Sequence, residues 1–111
     1  MSEYNGWTNY DTWAVNLWMS NDQSSDSYWN ETAQEVYDDA DTDKTFTRDE
    51  RATLDLSDRV KDEHEQAQPD LGCSLWADLL GAAMSEVNWY EIAEHYIAEV
   101  DKHEPESEAT S

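Results

Sequence analysis

Between Asn5 and Trp18 the chain reads NGWTNYDTWAVNLW, three tryptophans and a tyrosine within fourteen residues. No other feature constrains the fold so strongly, because the remainder is loaded with carboxylates. The 111 residues hold 27 acids against 6 Lys and Arg, a formal net charge of −21. Low hydrophobicity combined with so much like charge ordinarily leaves a chain disordered. Here 6 Trp and 6 Tyr supply large areas to bury, each ring contributing several kcal/mol at roughly 25 cal/mol per Å². The expectation is one folded domain, residues 1–101, with an aromatic core inside an anionic shell. The closing KHEPESEATS lacks apolar residues, so residues 102–111 are expected to be a disordered tail.

Three glycines, two prolines and few β-branched residues favour helices throughout. Thr8 followed by Asp11 has the form of a capping box, and Tyr10, Trp13, Ala14, Leu17 and Trp18 then recur as one helical stripe. SNDQSSDS, residues 20–27, reads as the turn that ends this helix. A second helix is expected from near Asp26 to about Asp39, and DADTDKTFT, residues 39–47, as a loop. Thr47 with Glu50 caps a third helix running to about Gln66, with Ala52, Leu56 and Val60 as its seam. Pro69 and Gly72 mark a break, Ser74 caps a fourth helix, and Asn88 with Glu91 caps a fifth. The predicted fold is all-α, a compact bundle of four to five short helices. Its expected core is Tyr10, Trp13, Leu17, Trp18, Trp29, Val36, Leu56, Val60, Trp76, Leu79, Leu80, Trp89, Ile92 and Ile97.

NGWTNYDTWAVNLW and SEVNWYEIAEHYI together resemble a family of small acidic proteins scattered through bacteriophage and haloarchaeal genomes. Its members open with an N-G-W-x-N-Y-(E/D)-T-W block and close with a W-x-x-I-A-E segment. The matching positions are Asn5, Gly6, Trp7, Asn9, Tyr10, Asp11, Thr12 and Trp13, then Trp89, Ile92, Ala93 and Glu94. RVKDEHEQAQPDLGCSLWADLLGAAMSEVNW between them is also similar, so the resemblance covers most of the chain before the tail. It implies a shared fold and a viral or haloarchaeal setting for a domain of unknown function, and it brings no catalytic residues.

The residues themselves specify no enzyme. No nucleophile triad, glycine-rich phosphate loop or paired-cysteine zinc signature occurs, and the lone Cys73 leaves no internal disulfide. Glu91 and His95 share a helical face and offer two metal ligands, but nothing fixes a third. His64 and His95 read as solvated or hydrogen-bonded surface histidines, and His103 falls in the tail. Counting from Asp39 as an EF-hand loop puts Asp41, Asp43 and Glu50 on ligand positions, but Lys44 stands where a glycine is needed. No metal, cofactor or catalytic group is therefore assigned. The Trp-rich block reads as core before it reads as a stacking platform for bases or sugars. Asn5, Asn9 and Asn16 read as amides that cap the helix start or tie the Trp7 loop to a neighbour.

Charge excludes partners more firmly than it selects them. Phosphate contacts need Lys and Arg, so direct nucleic-acid binding is not expected, and an anionic membrane would repel the chain. There is no basic-then-apolar leader and no apolar run of about 18 residues, so a cytoplasmic protein is expected, in the host cell if it is viral. Glu31, Glu35, Asp38 and Asp39 share one face of the second helix; Asp55, Asp58, Asp62 and Glu65 share one face of the third. Duplex DNA carries one charge per roughly 1.7 Å, so 21 charges match about 36 Å of it. That density fits a DNA mimic that occludes the basic groove of a host nucleic-acid-binding protein. It fits equally a protein adapted to saturated salt, for 14 Asp stand beside 3 Lys. Acids are heavy across both halves, which leans towards habitat, and a small enzyme without a recognisable motif stays open.

Overall fold

Each of the five helices among the described residues begins after a residue whose side chain takes an amide that the helix itself cannot satisfy. The computed structural model describes residues 4–42 and 45–102. Asn9 accepts from Thr12 N to open α1 (Tyr10–Asn21), and Asp22 accepts from Ser24 N to open α2 (Gln23–Asp39). Thr47 and Glu50 complete a reciprocal capping box at α3 (Arg48–Gln66). Ser74 accepts from Ala77 N at α4 (Leu75–Glu86), and Asn88 from Glu91 N at α5 (Trp89–Ala98). Such caps contribute about 1 kcal/mol each, which matters for helices of 10 to 19 residues.

The all-α expectation holds, with three of the caps where the sequence placed them. Thr8 is not the first cap, because Asn9 fills that position one residue later. SNDQSSDS is not a turn either. Only Asp22 separates α1 from α2, and its carboxylate caps the second helix while its backbone bends the chain. Lys102, the first residue of the expected tail, has its Nζ 2.8 Å from Asp49 on α3, and residues 103–111, His103 among them, lie outside the described residues.

The core is centred on α3 and α5. Ala52, Leu56 and Val60 from α3 join Ile92, Ala93, Tyr96 and Ile97 from α5, with Trp29, Ala33 and Tyr37 of α2 closing the cluster. His64 is the hydrogen-bonded alternative of the two expected, and it is half-buried. Its ring lies between the indoles of Trp29 and Trp89, 5.9 and 5.6 Å away by centroids, and its Nδ1 sits 2.8 Å from the Val60 carbonyl.

Five of the fourteen expected core residues face solvent. Tyr10, Leu17 and Trp18 on α1 are exposed, because α1 buries its opposite side through Thr12 and Met19. Trp76 and Leu79 on α4 are exposed too, and Leu80 is only half-buried. Trp13 and Val36 pack against the core without being fully enclosed. α1 and α4 are apolar on more than one side, so hydrophobic periodicity cannot say which side turns inward. Hydrogen bonding decides for α1. The buried Thr12 hydroxyl finds partners on its inner side, whereas the exposed Trp18 indole can give its N–H to water.

Candidate functional site

The opening motif is a structural knot. Asn5 and Gly6 both take positive φ, 49° and 88°, as the central pair of a tight type I′ turn requires. Tyr4 and Trp7 flank the turn and exchange two 2.8 Å backbone hydrogen bonds. The turn lays Tyr4 edge-on against Tyr10 and Trp13, with centroids at 5.1 and 4.8 Å. It also delivers Trp7 into the core, its ring stacked on His95 at 4.0 Å. The Asn-Gly pair was the available signal for this turn.

From there the caps of α1 and α5 are laced to one another. Asn9 Oδ1 accepts from both Thr12 N and Thr12 Oγ1, at 2.9 and 2.7 Å, while its Nδ2 donates to the Glu86 carbonyl at 2.8 Å. Thr12 Oγ1 in turn accepts from Asn88 N at 2.8 Å. Glu91 Oε1 accepts from Thr8 N at 3.0 Å, and Asn88 Nδ2 donates to Thr8 Oγ1 at 3.3 Å. Asn9 must accept at one atom and donate at the other, which an amide does and a carboxylate does not. That explains an asparagine in a chain otherwise rich in aspartate. Glu91 and His95 are thus engaged with Thr8 and Trp7, and no group of three His, Cys, Asp or Glu among the described residues is placed to hold a metal ion. Asn16 lies elsewhere, on a polar cleft of about 410 Å³ with Asp26, His95 and Tyr96. There Tyr96 donates to Asp26 Oδ1 at 3.2 Å and Asn30 donates to Oδ2 at 3.2 Å. Burial, and then the Asp26 charge, push the Tyr96 phenol well above its ordinary value.

The acidic residues singled out in the sequence are all exposed: Glu31, Glu35, Asp38 and Asp39 on α2, and Asp55, Asp58, Asp62 and Glu65 on α3. Both rows turn away from the buried sides of their helices, which follows from helical spacing alone. The structure brings three of them together. Glu35 and Asp39 of α2 and Asp55 of α3 line one groove of about 240 Å³, with Arg59 on its wall. Tyr28 ties the same two helices together by donating to Glu63 at 2.7 Å. That hydrogen bond, followed by burial and the Glu63 charge, raises the Tyr28 phenol above its ordinary value.

The other predicted acids do not share the groove. Asp38 accepts from Gln34 Nε2 at 3.0 Å, and Glu65 stands 4.0 Å from Lys61 beside a cleft shared with α4. Sequence reasoning did not foresee how the bases are used. Arg48 donates to the carbonyls of Tyr37 and Asp38 at 2.9 and 2.7 Å and lies 5.0 Å over the Tyr37 ring. Arg51 lies 4.9 Å over the Phe46 ring. With Lys102 on Asp49, three bases serve the chain's own packing.

Fold and surface together define a small all-α bundle with an acidic flank. The chain belongs to a family of unknown function, DUF7249, whose model matches residues 1–108. No curated protein and no solved structure matches it. Among the described residues no helix is long and apolar enough to cross a membrane.

Proposed function

We propose that this chain is a non-enzymatic binding protein whose α2–α3 flank occupies a basic surface on a nucleic-acid-binding protein of the host, in the manner of a DNA mimic. The observation that carries the reading is how unevenly the charge is placed. α2 and α3 hold twelve carboxylates against four bases, a net of eight negative charges, whereas α1 and α4 together hold three carboxylates and no base. A helix of 19 residues is about 28 Å long. Eight charges over that length is one per roughly 3.5 Å, close to the 3.4 Å spacing of phosphates along one DNA strand. The flank therefore imitates one phosphate strand, and a full duplex would carry about twice its density. Long-range attraction would steer the encounter, and salt would weaken it. The viral setting implied by the sequence resemblance supports a target in host defence or repair, reached in the host cytoplasm.

Adaptation to high salt is the rival reading, supported by 14 Asp beside 3 Lys. It calls for hydrated carboxylate on every side, and α1 and α4 instead expose Trp18, Leu75, Trp76 and Leu79. The test is capture from host lysate on the immobilised chain at about 0.05 M and about 0.5 M salt. The mimic predicts DNA-binding proteins that are retained at low salt and displaced by added duplex. It also predicts their loss from a Glu35→Gln, Asp39→Asn, Asp55→Asn triple variant. An empty capture from a chain that folds only in molar salt overturns the proposal in favour of habitat.

A further inference from the structure

α4 is a helix without a core. None of its residues is buried, and of the other four helices it packs against α1 alone. Its inner side, through Ala77, Leu80 and Met84, is half-buried against the body. Its outer side carries Leu75, Trp76 and Leu79, at 62%, 64% and 53% exposure. The neighbouring α1 adds Leu17 and Trp18, the latter 74% exposed. A large aromatic side chain offers roughly 150–250 Å². These five side chains therefore leave on the order of 600 Å² of apolar surface in water, at the upper end of what monomers expose. A standard stable interface takes about 800 Å² from each partner, and the smallest specific ones about 500 Å².

We infer that the outer face of α4, extended by α1, pairs with the same face of a second copy of this chain. The area is what a small symmetric dimer needs from each side. Charge selects the occupant. A basic partner finds little here, since α1 and α4 carry only Asp11, Asp78 and Glu86. A second copy meets that surface with its own charge-poor face, so the carboxylate-rich α2–α3 flanks need not enter the contact. Two chains of charge −21 nevertheless repel at a distance. Salt therefore tightens this association by screening the repulsion, the reverse of its effect on a contact with a basic protein.

The experiment is sedimentation velocity on the full chain over a hundredfold concentration range, at about 0.05 M and about 1 M salt. Dimer mass should appear at high concentration, with a dissociation constant at least tenfold lower in the higher salt. Leu75→Glu with Leu79→Glu should stay monomeric throughout, with an unchanged far-ultraviolet circular dichroism spectrum, since neither side chain is buried. Trp76→Glu, made separately, should do the same, so that loss of fold in one variant does not decide the matter. Glu35→Gln, on the acidic flank, should dimerise like the parent. A parent chain that stays monomeric at every concentration and salt overturns the inference, as does dimerisation that persists in the folded Glu variants. So does dimerisation that weakens as salt rises, which would place the contact on charged faces. Failure here leaves the acidic flank untouched, because that reading is scored by displacement with duplex.

Discussion

Replacing Thr12 by valine tests the knot between the two ends of the chain. Thr12 is fully buried, and its hydroxyl donates to Asn9 Oδ1 at 2.7 Å while accepting from Asn88 N at 2.8 Å. Valine keeps the shape and removes both bonds. The donated bond contributes about 1 kcal/mol net, and the Asn88 amide left without its partner costs about 1–3 kcal/mol. Against this, a methyl group in place of a hydroxyl is easier to bury by a fraction of a kcal/mol. The expected net loss is about 2 kcal/mol, a fall in Tm of roughly 8–16 °C for a domain of this size. Thr12→Ser is the comparison. It keeps both hydrogen bonds and loses one methyl, about 1 kcal/mol. Thermal melts followed by circular dichroism give the order parent, then serine, then valine. If valine is as stable as serine or better, the hydroxyl bonds do not hold α1 to α5, and shape alone accounts for the burial of Thr12.

Leu56 is fully enclosed between helices, so Leu56→Ala should cost about 2–5 kcal/mol in urea unfolding. Trp18→Ser, which removes a far larger side chain from an exposed position, should cost under about 0.5 kcal/mol in dilute solution. The Tyr96 phenol is held above its ordinary value in the folded chain, so the neutral form is bound more tightly folded than unfolded. Its contribution is intact below the ordinary phenol value of 10.0 and is lost as pH climbs above it, towards the raised folded value. Urea midpoints between about pH 9 and about pH 11 should fall less steeply for Tyr96→Phe than for the parent.

The elements were legible because caps are local. Thr47 with Glu50, Ser74 and Asn88 each declare a helix start within four residues. The Thr8 reading failed by one position, since Thr8, Asn9 and Asp11 all offer cap chemistry, and Asn9 is held there by its bonds to Thr12 and to the distant Glu86 carbonyl. Which face turns inward was legible for α3, whose Ala52, Leu56 and Val60 seam has only Leu54 as a further apolar side chain among polar residues. It was hidden for α1 and α4, where large apolar side chains occur on both sides and burial depends on partners up to 77 residues away. The acidic rows were readable from spacing. Their convergence at Glu35, Asp39 and Asp55 depends on how α2 lies along α3, which no local pattern encodes.

The lacing of Thr12 to Asn88 spans 76 residues and sets an order of events on the ribosome. At 5–20 residues per second, about 4–15 s separate synthesis of the two partners. Once it has emerged from the exit tunnel, the tryptophan-rich opening waits without the helix that completes it. The dense carboxylates that follow it carry like charge, which favours solubility over association while α5 is awaited.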